Sequence, residues 1–218
     1  MKLRISFGKD LFTALVLIMV ALYFAMTAVV ETVMNEANLG RQLEKQYINA
    51  SPSDVIGTVT QFQGSASSPY TLIEFGDYQC PPCHFWFNQI PGAMQAYRGR
   101  VRFGFRNYPL TAIHPYAEQA AVAAELARKQ GMFWPVHDEL YSLSSFDSAA
   151  IIHVIHSNNL WAAYGDKRRR QAAAADVSVD VTEARKLKLE ETPTFLLCTP
   201  GHKVIKLSGL NQLPQFVK

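Results

Sequence analysis

The residues of this chain best suited to chemistry are two cysteines two residues apart, Cys80 and Cys83. Thiols at this spacing can close a small disulfide and pass it on by exchange. They sit in Leu72-Ile73-Glu74-Phe75-Gly76-Asp77-Tyr78-Gln79-Cys80-Pro81-Pro82-Cys83-His84, where an apolar run with strand character leads through Gly76 into the pair. Phe85, Trp86, Phe87 and Ile90 then suggest a helix, which places Cys80 at a helix N-terminus. Unsatisfied backbone N–H groups and the positive end of the helix dipole favour a thiolate there. Cysteines in such settings have pKa values from roughly 3.5 to 7.5, against about 8.5 for a free thiol. Cys80 is therefore expected to be the exposed, acidic thiol, and Cys83, one turn in, to be shielded by Phe87 and its neighbours.

Other chemistries use the same letters. A zinc site wants four N or S ligands, and only Cys198 remains outside the pair. His114, His137, His153 and His156 show no metal-ligand order, so surface or packing roles are expected of them. Cys80, Cys83 and His84 also spell the attachment motif of c-type haem. Against haem, a buried-looking strand leads straight into the motif and no axial partner stands out, Met94 and Met132 being arbitrary choices. The residues favour a redox dithiol with no metal and no bound cofactor. Cys198 lies five residues beyond Pro193 on an apolar run. A straight strand carries it roughly 16 Å along, past the ~7 Å Cα limit for a disulfide, so it reads as a buried core thiol.

Far downstream of the Cys-Pro-Pro-Cys stretch comes Glu191-Thr192-Pro193-Thr194-Phe195. With strand, loop, dithiol and helix in that order, and a long helix-rich stretch between the two motifs, the chain resembles the DsbA-like thioredoxin-fold disulfide oxidoreductases. The likeness covers roughly residue 55 to the C-terminus. It implies a mixed α/β thioredoxin fold with an inserted helical domain, a cis peptide bond before Pro193 and a substrate groove rimmed by Pro81, Pro82, Thr192 and Pro193. Most X-Pro bonds are trans, so the cis expectation rests on the resemblance. The family's usual glycine-containing approach to this proline is replaced here by Lys188-Leu189-Glu190-Glu191, which makes the rim unusual. The family also commonly places a buried acid beneath the dithiol. Here that is Glu74, which strand alternation puts on the face of Leu72, opposite Ile73 and Phe75; a solvated strand-end carboxylate is the alternative.

The resemblance implies exported cysteine-containing proteins as partners, together with a membrane redox partner of the quinone-linked type. Insertion of disulfides is the activity expected first. Reductase or isomerase work on particular clients is one alternative, and a non-enzymatic binding module is another. Pro81 and Pro82 offer Cys80 no backbone N–H, which argues for a weaker oxidant than a motif with an intervening histidine.

The 218 residues are 49% hydrophobic and 18% charged, which suits one globular domain plus an accessory segment. The net charge of +3 supplies no basic face that would imply nucleic acid. Leu11 to Val30 is a run of twenty without a charge, about 30 Å of helix and long enough to cross a hydrocarbon core. A cleaved signal has a shorter apolar region and a small-residue site, so an uncleaved anchor is favoured. Lys2, Arg4 and Lys9 precede the run and the first basic residue after it is Arg41. A cytoplasmic N-terminus (1–10), an anchor (11–30), a polar stalk (31–54) and an outward-facing domain (55–218) follow. Outward means a periplasm or its equivalent, where disulfides persist.

Within the stalk, Val33, Leu39, Leu43 and Tyr47 or Ile48 recur too sparsely for a coiled coil. Strands are expected at Gly57–Gln63, Tyr70–Phe75, Val101–Arg106 and Val204–Leu207. Alternation in the third predicts burial on one face, with Arg98, Arg100, Arg102 and Arg106 solvated. Helices are expected at Pro115–Gln130, Met132–Leu143, Ser148–Asn158 and Leu213–Val217, with Lys167–Arg170 as a solvated basic run. The insertion is placed at about 111–176.

Overall fold

A computed structural model describes residues 7–217, and Lys2 and Arg4 lie outside them. Two units are distinguished, residues 7–46 and 47–217. The first is one helix, α1 (Phe7–Gln46), 40 residues long. Its most apolar stretch, Ala14–Asn38, has a mean hydropathy of 2.3 and is long enough to cross a membrane. Large apolar side chains from Phe12 to Met34 are exposed along it. No break separates anchor from stalk, because nothing between Val30 and Gln46 is a proline and polar residues of good helix propensity continue the helix. The side chains of Leu39 and Leu43 lie outside those described.

The second unit begins eight residues earlier than expected. β1 (Tyr47–Ile48) pairs antiparallel with a C-terminal strand, so the expected stalk residues 47–54 belong to the domain. Helix α2 (Pro52–Ile56) follows, opened by a capping box in which Ser51 and Asp54 satisfy each other's backbone N–H groups. The strand expected over Gly57–Gln63 is only β2 (Gln61–Gln63), because Gly57 turns the chain with φ +61°. β3 (Tyr70–Gly76) is the central strand. It leads into α3 (Pro81–Phe87) and α4 (Ile90–Ala96), then into β4 (Val101–Asn107), which pairs parallel to it.

Five helices intervene before the next strand: α5 (Ala117–Arg128), α6 (Phe133–Tyr141), α7 (Ser148–Ser157), α8 (Trp161–Gly165) and α9 (Lys167–Lys186). The boundary expected near 176 falls inside α9, which continues to Lys186. The chain then forms β5 (Thr194–Cys198), β6 (Val204–Leu207) and α10 (Leu213–Phe216). The sheet order is β1-β6-β5-β3-β4-β2, with β3 between parallel β4 and antiparallel β5.

Both faces of the sheet are covered, which is why β3 reads as an almost continuous apolar run. Leu72, Phe103, Phe105, Phe195 and Leu197 face one core, shared with Cys83 and the helices α5 to α7. Ile73, Phe75, Leu196 and Cys198 face the other, shared with Val55 and Ala184. Each such fully buried apolar side chain contributes about 1.5 to 3 kcal/mol.

The expectation that Arg106 is solvated is wrong. Its side chain is 0% exposed, paired with Asp180 at 2.7 Å and with Glu183 of α9. Alternation put Arg106 on the correct face of the strand, but that face lies beneath Gly57 and α9 rather than water. A Cβ added to Gly57 would come within 2.6 Å of the guanidinium, so a glycine is required there on two counts.

Candidate functional site

β3 delivers the dithiol. Its last residue, Gly76, lies so close to the Phe105 ring that no Cβ fits, and the chain then leaves the sheet through Asp77-Tyr78-Gln79. The Cys80 N–H donates to the Asp77 carbonyl at 3.1 Å, and Cys80 becomes the N-cap of α3 with φ −77° and ψ 120°. Pro81 and Pro82 occupy the first helical positions, where their fixed φ suits the helix and their missing N–H groups leave no donor unpaired.

The two sulfurs have different surroundings. Cys83 is 0% exposed and Cys80 4%. Cys80 is therefore less open than expected, being covered by the loop before β5. In its thiol form its Sγ donates to the Thr192 carbonyl at 3.1 Å. The Thr192-Pro193 peptide bond is cis, as the resemblance implied. Pro81 and Pro82 are exposed, Pro193 half-buried and Thr192 buried.

Hydrogen bonding from the Cys83 thiol brings the Cys80 thiol down to about 6, assisted by Thr192 and opposed by burial and by the Asp77 charge. Sequence reasoning credited the helix terminus with this effect, but with two prolines at its start the neighbouring thiol is the largest cause. Burial, the hydrogen bond to Cys80 and the Glu74 charge push Cys83 far up. All three cysteines are free thiols, and burial pushes Cys198 up to about 12, in line with a core role.

Glu74 is 1% exposed, on the dithiol side of β3, and its Oε1 has no hydrogen-bond partner. Desolvation, with the Cys80 charge second, raises it to about 8. A carboxyl in that state is mostly protonated at neutral pH.

Helix α9 ends in a Schellman motif that starts the loop to Pro193. The Leu189 N–H donates to the Ala184 carbonyl at 2.9 Å and the Lys188 N–H to the Arg185 carbonyl at 3.0 Å. Lys188 takes φ +56° at the position where glycine is usual, and Leu189 is buried with Ala184. This is how Lys188-Leu189-Glu190-Glu191 substitutes for a glycine-containing approach.

Tyr78, which sequence reasoning passed over, and two histidines that it weighed complete the surroundings. The Tyr78 hydroxyl and His137 Nδ1 share a hydrogen bond of 3.0 Å inside a cluster that includes Phe87, Phe105 and Tyr141. Burial lowers His137 to about 3, so the ring is a neutral packing group. His84 places Nε2 2.8 Å from the Tyr78 carbonyl. Among the described residues, no group of three or more His, Cys, Asp or Glu side chains could hold a metal ion.

A family model described as thioredoxin matches residues 57–218. Among curated proteins, the chain is 32% identical over 139 residues to the Na(+)/H(+) antiporter NhaA 3 of Salinispora tropica, covering 62% of this chain and 21% of the antiporter. It is 31% identical over 91 residues to the probable disulfide bond formation protein D of Bacillus anthracis, covering 40% of this chain and 42% of that protein. The matched segments thus span less than half of either relative. Among solved structures, BdbD from Bacillus subtilis in its oxidised form superposes with a TM-score of 0.62 at 24% identity, covering 78% of this chain and 95% of that one.

Proposed function

The chain belongs to the thioredoxin family, and from that membership and the geometry of its dithiol we propose that it is a thiol-disulfide oxidoreductase that introduces disulfides into exported proteins. The observation that carries this reading is the asymmetry of the two sulfurs, one acidic and held beneath the loop before β5, the other wholly enclosed and basic. In the oxidised state a client thiolate attacks Cys80 Sγ and the Cys80–Cys83 bond breaks. Cys83 leaves as a thiolate and takes the proton of neutral Glu74. A second client thiolate attacks the client sulfur of the mixed disulfide and releases Cys80 as a thiolate, which its low pKa makes a good leaving group. The client loses two electrons and the Cys80/Cys83 pair gains them.

Thr192 and Pro193, with Pro81 and Pro82 opposite, form the lips between which the client's cysteine enters. Reoxidation falls to a membrane partner of the quinone-linked type, in keeping with an anchor at 11–30 and a domain on the extracytoplasmic side. Reductase or isomerase service remains the second reading, favoured by the Pro-Pro pair.

The test is a trap. Supplied with oxidised glutathione as the oxidant, Cys83→Ala should accumulate mixed disulfides between Cys80 and reduced clients while glutathione is reduced in step, and Cys80→Ala should accumulate none. The reverse pattern overturns the assignment of roles, and turnover of neither a disulfide nor a reduced client by the unmodified protein overturns the enzyme.

A further inference from the structure

The carboxylate of Asp77 is 0% exposed and lies between the dithiol and the helical block. Its Oδ1 accepts the Gln79 N–H at 2.8 Å, and its Oδ2 accepts the Leu110 N–H at 2.8 Å and the His114 Nδ1–H at 2.7 Å. Its carbonyl holds the Cys80 N–H. Gln79 ties the same loop to the start of α5 by accepting the Tyr116 N–H at 2.8 Å. Four hydrogen bonds thus fix a buried acid three residues before Cys80, and its one side-chain partner comes from 37 residues away. The bond from the Cys80 N–H helps set the dithiol, but the bond to His114 does not, and backbone donors alone would satisfy much of the Asp77 carboxylate.

We propose that Asp77 and His114 form a positioning pair that sets the reactivity of Cys80: the Asp77 charge restrains the thiolate, and His114 relieves that restraint by drawing the charge toward itself. Two negative charges held close in a low-dielectric site repel, and a donor on the far side of one reduces its reach. The sign of the Asp77 influence on Cys80 agrees, since its charge pushes that thiol up against the larger downward pull of Cys83. The other ionisable groups about the dithiol and this loop are Glu74 on β3, Tyr78 next in the chain, Cys83 and His84 on α3, and Tyr141 on α6, whose ring lies 4.9 Å from that of Tyr78 and 5.2 Å from that of His84. Of these, Glu74 is mostly uncharged at neutral pH and the two tyrosines are raised well above their ordinary range by burial. That leaves Asp77 as the acid whose charge Cys80 meets. His114 is 14% exposed along one edge, so it can be replaced without opening the core.

This inference builds on the dithiol reading, yet its first measurement needs no turnover. In the full-length reduced protein in detergent, the pH dependence of Cys80 alkylation reads its titration directly. Asp77→Asn should lower the midpoint, raising the alkylation rate below it and shifting the glutathione equilibrium toward the dithiol by about threefold to tenfold, the change that half to one pKa unit brings. His114→Ala should shift both quantities the opposite way. Added to Asp77→Asn, His114→Ala should move neither, because its effect passes through the Asp77 charge. Shifts of the same sign in both single variants, or a His114 effect that survives in the double variant, overturn the pairing. If Asp77→Asn fails to fold, His114→Ala decides alone, and an unchanged Cys80 midpoint overturns the proposal. Opposed midpoint shifts in a protein that exchanges with no client would uphold the pair and sink the oxidoreductase reading instead.

Discussion

Glu74 holds a proton that the unfolded chain would release. Its carboxyl is raised from the ordinary 4.5 to about 8, chiefly by desolvation. Between these values the folded state binds more protons than the unfolded one, so this group makes stability fall as pH rises through that window. The full penalty, on the order of 5 kcal/mol, is present only above the folded value. Glu74→Gln should remove it. Chemical denaturation should show the variant gaining on the parent as pH rises from 5 to 9, with its exchange rate lowered because Cys83 has lost its proton partner. A parallel pH dependence of stability in both proteins would show that Glu74 titrates in the ordinary range, and unchanged exchange rates across that range would remove the proton transfer. Cys80 and Cys83 were legible from their spacing, and Glu74 from strand alternation together with the family resemblance, whereas the loop that covers Cys80 and the thiol that acidifies it were not. Asp77 stands between Glu74 and Cys80 and was not legible, because what matters about it is His114, and a pairing made by chain closure leaves no local periodicity.

Elements that meet through charge were the least legible. The alternation of β4 places Arg102 and Arg106 on the same face, and a solvated face is the ordinary meaning of such a pattern. Arg106 instead packs over Phe75 and bonds to Asp180, which also accepts the Asn107 N–H at 2.8 Å, so α9 is clamped to the end of the sheet. Burial holds Asp180 up at about 6 even with Arg106 lowering it. Arg106→Met should leave a buried acid without its cation and cost about 3 to 5 kcal/mol. Without Arg106 to lower it, Asp180 rises further still, so the deficit against the parent should shrink as pH falls and protonation removes the uncompensated charge. Paired unfolding curves at pH 5 and pH 7.5 check this, and an equal deficit at both would assign the loss to packing. The elements carrying their own end signals were read within two residues: α5 runs Ala117–Arg128 against the expected Pro115–Gln130, and β3 ends at Gly76 against Phe75. Gly57–Thr60 was misread as strand because its valine and threonines outweighed a glycine that the neighbouring guanidinium demands.

At the scale of the whole chain, direction of electron flow depends on where the domain works as much as on the site. Residues Ala14–Asn38 can cross a membrane, and basic residues before them with none until Arg41 favour an outward domain. The protein should stay in the membrane fraction, and after reduction Cys80 should react with an impermeant thiol reagent added from outside; recovery as a soluble species starting near residue 31 would remove the anchor. Direction then follows from potentials. A Cys80 thiol near 6 is more acidic than the roughly 7 of thioredoxin and far less so than the ~3.5 of DsbA. At neutral pH, lowering a thiol from 7 to 6 stabilises the reduced form by only about 1 kcal/mol, or some 20 mV for two electrons. The pair should thus lie above thioredoxin's roughly −270 mV and well short of DsbA's roughly −120 mV. Such a pair is too weak to oxidise everything, but it needs only to exceed its clients. Structural disulfides lie below about −300 mV, and an oxidising compartment refills any pair more reducing than itself. The protein should therefore be found largely oxidised in its own cells, and should transfer its disulfide to a reduced, unfolded client in stoichiometric amounts without added oxidant. Trapping cellular thiols with acid and alkylating them reads the first, and mass analysis of the client reads the second. A pair found mostly reduced at steady state would mean that a dedicated reductant reaches it, and the reductase reading would take over.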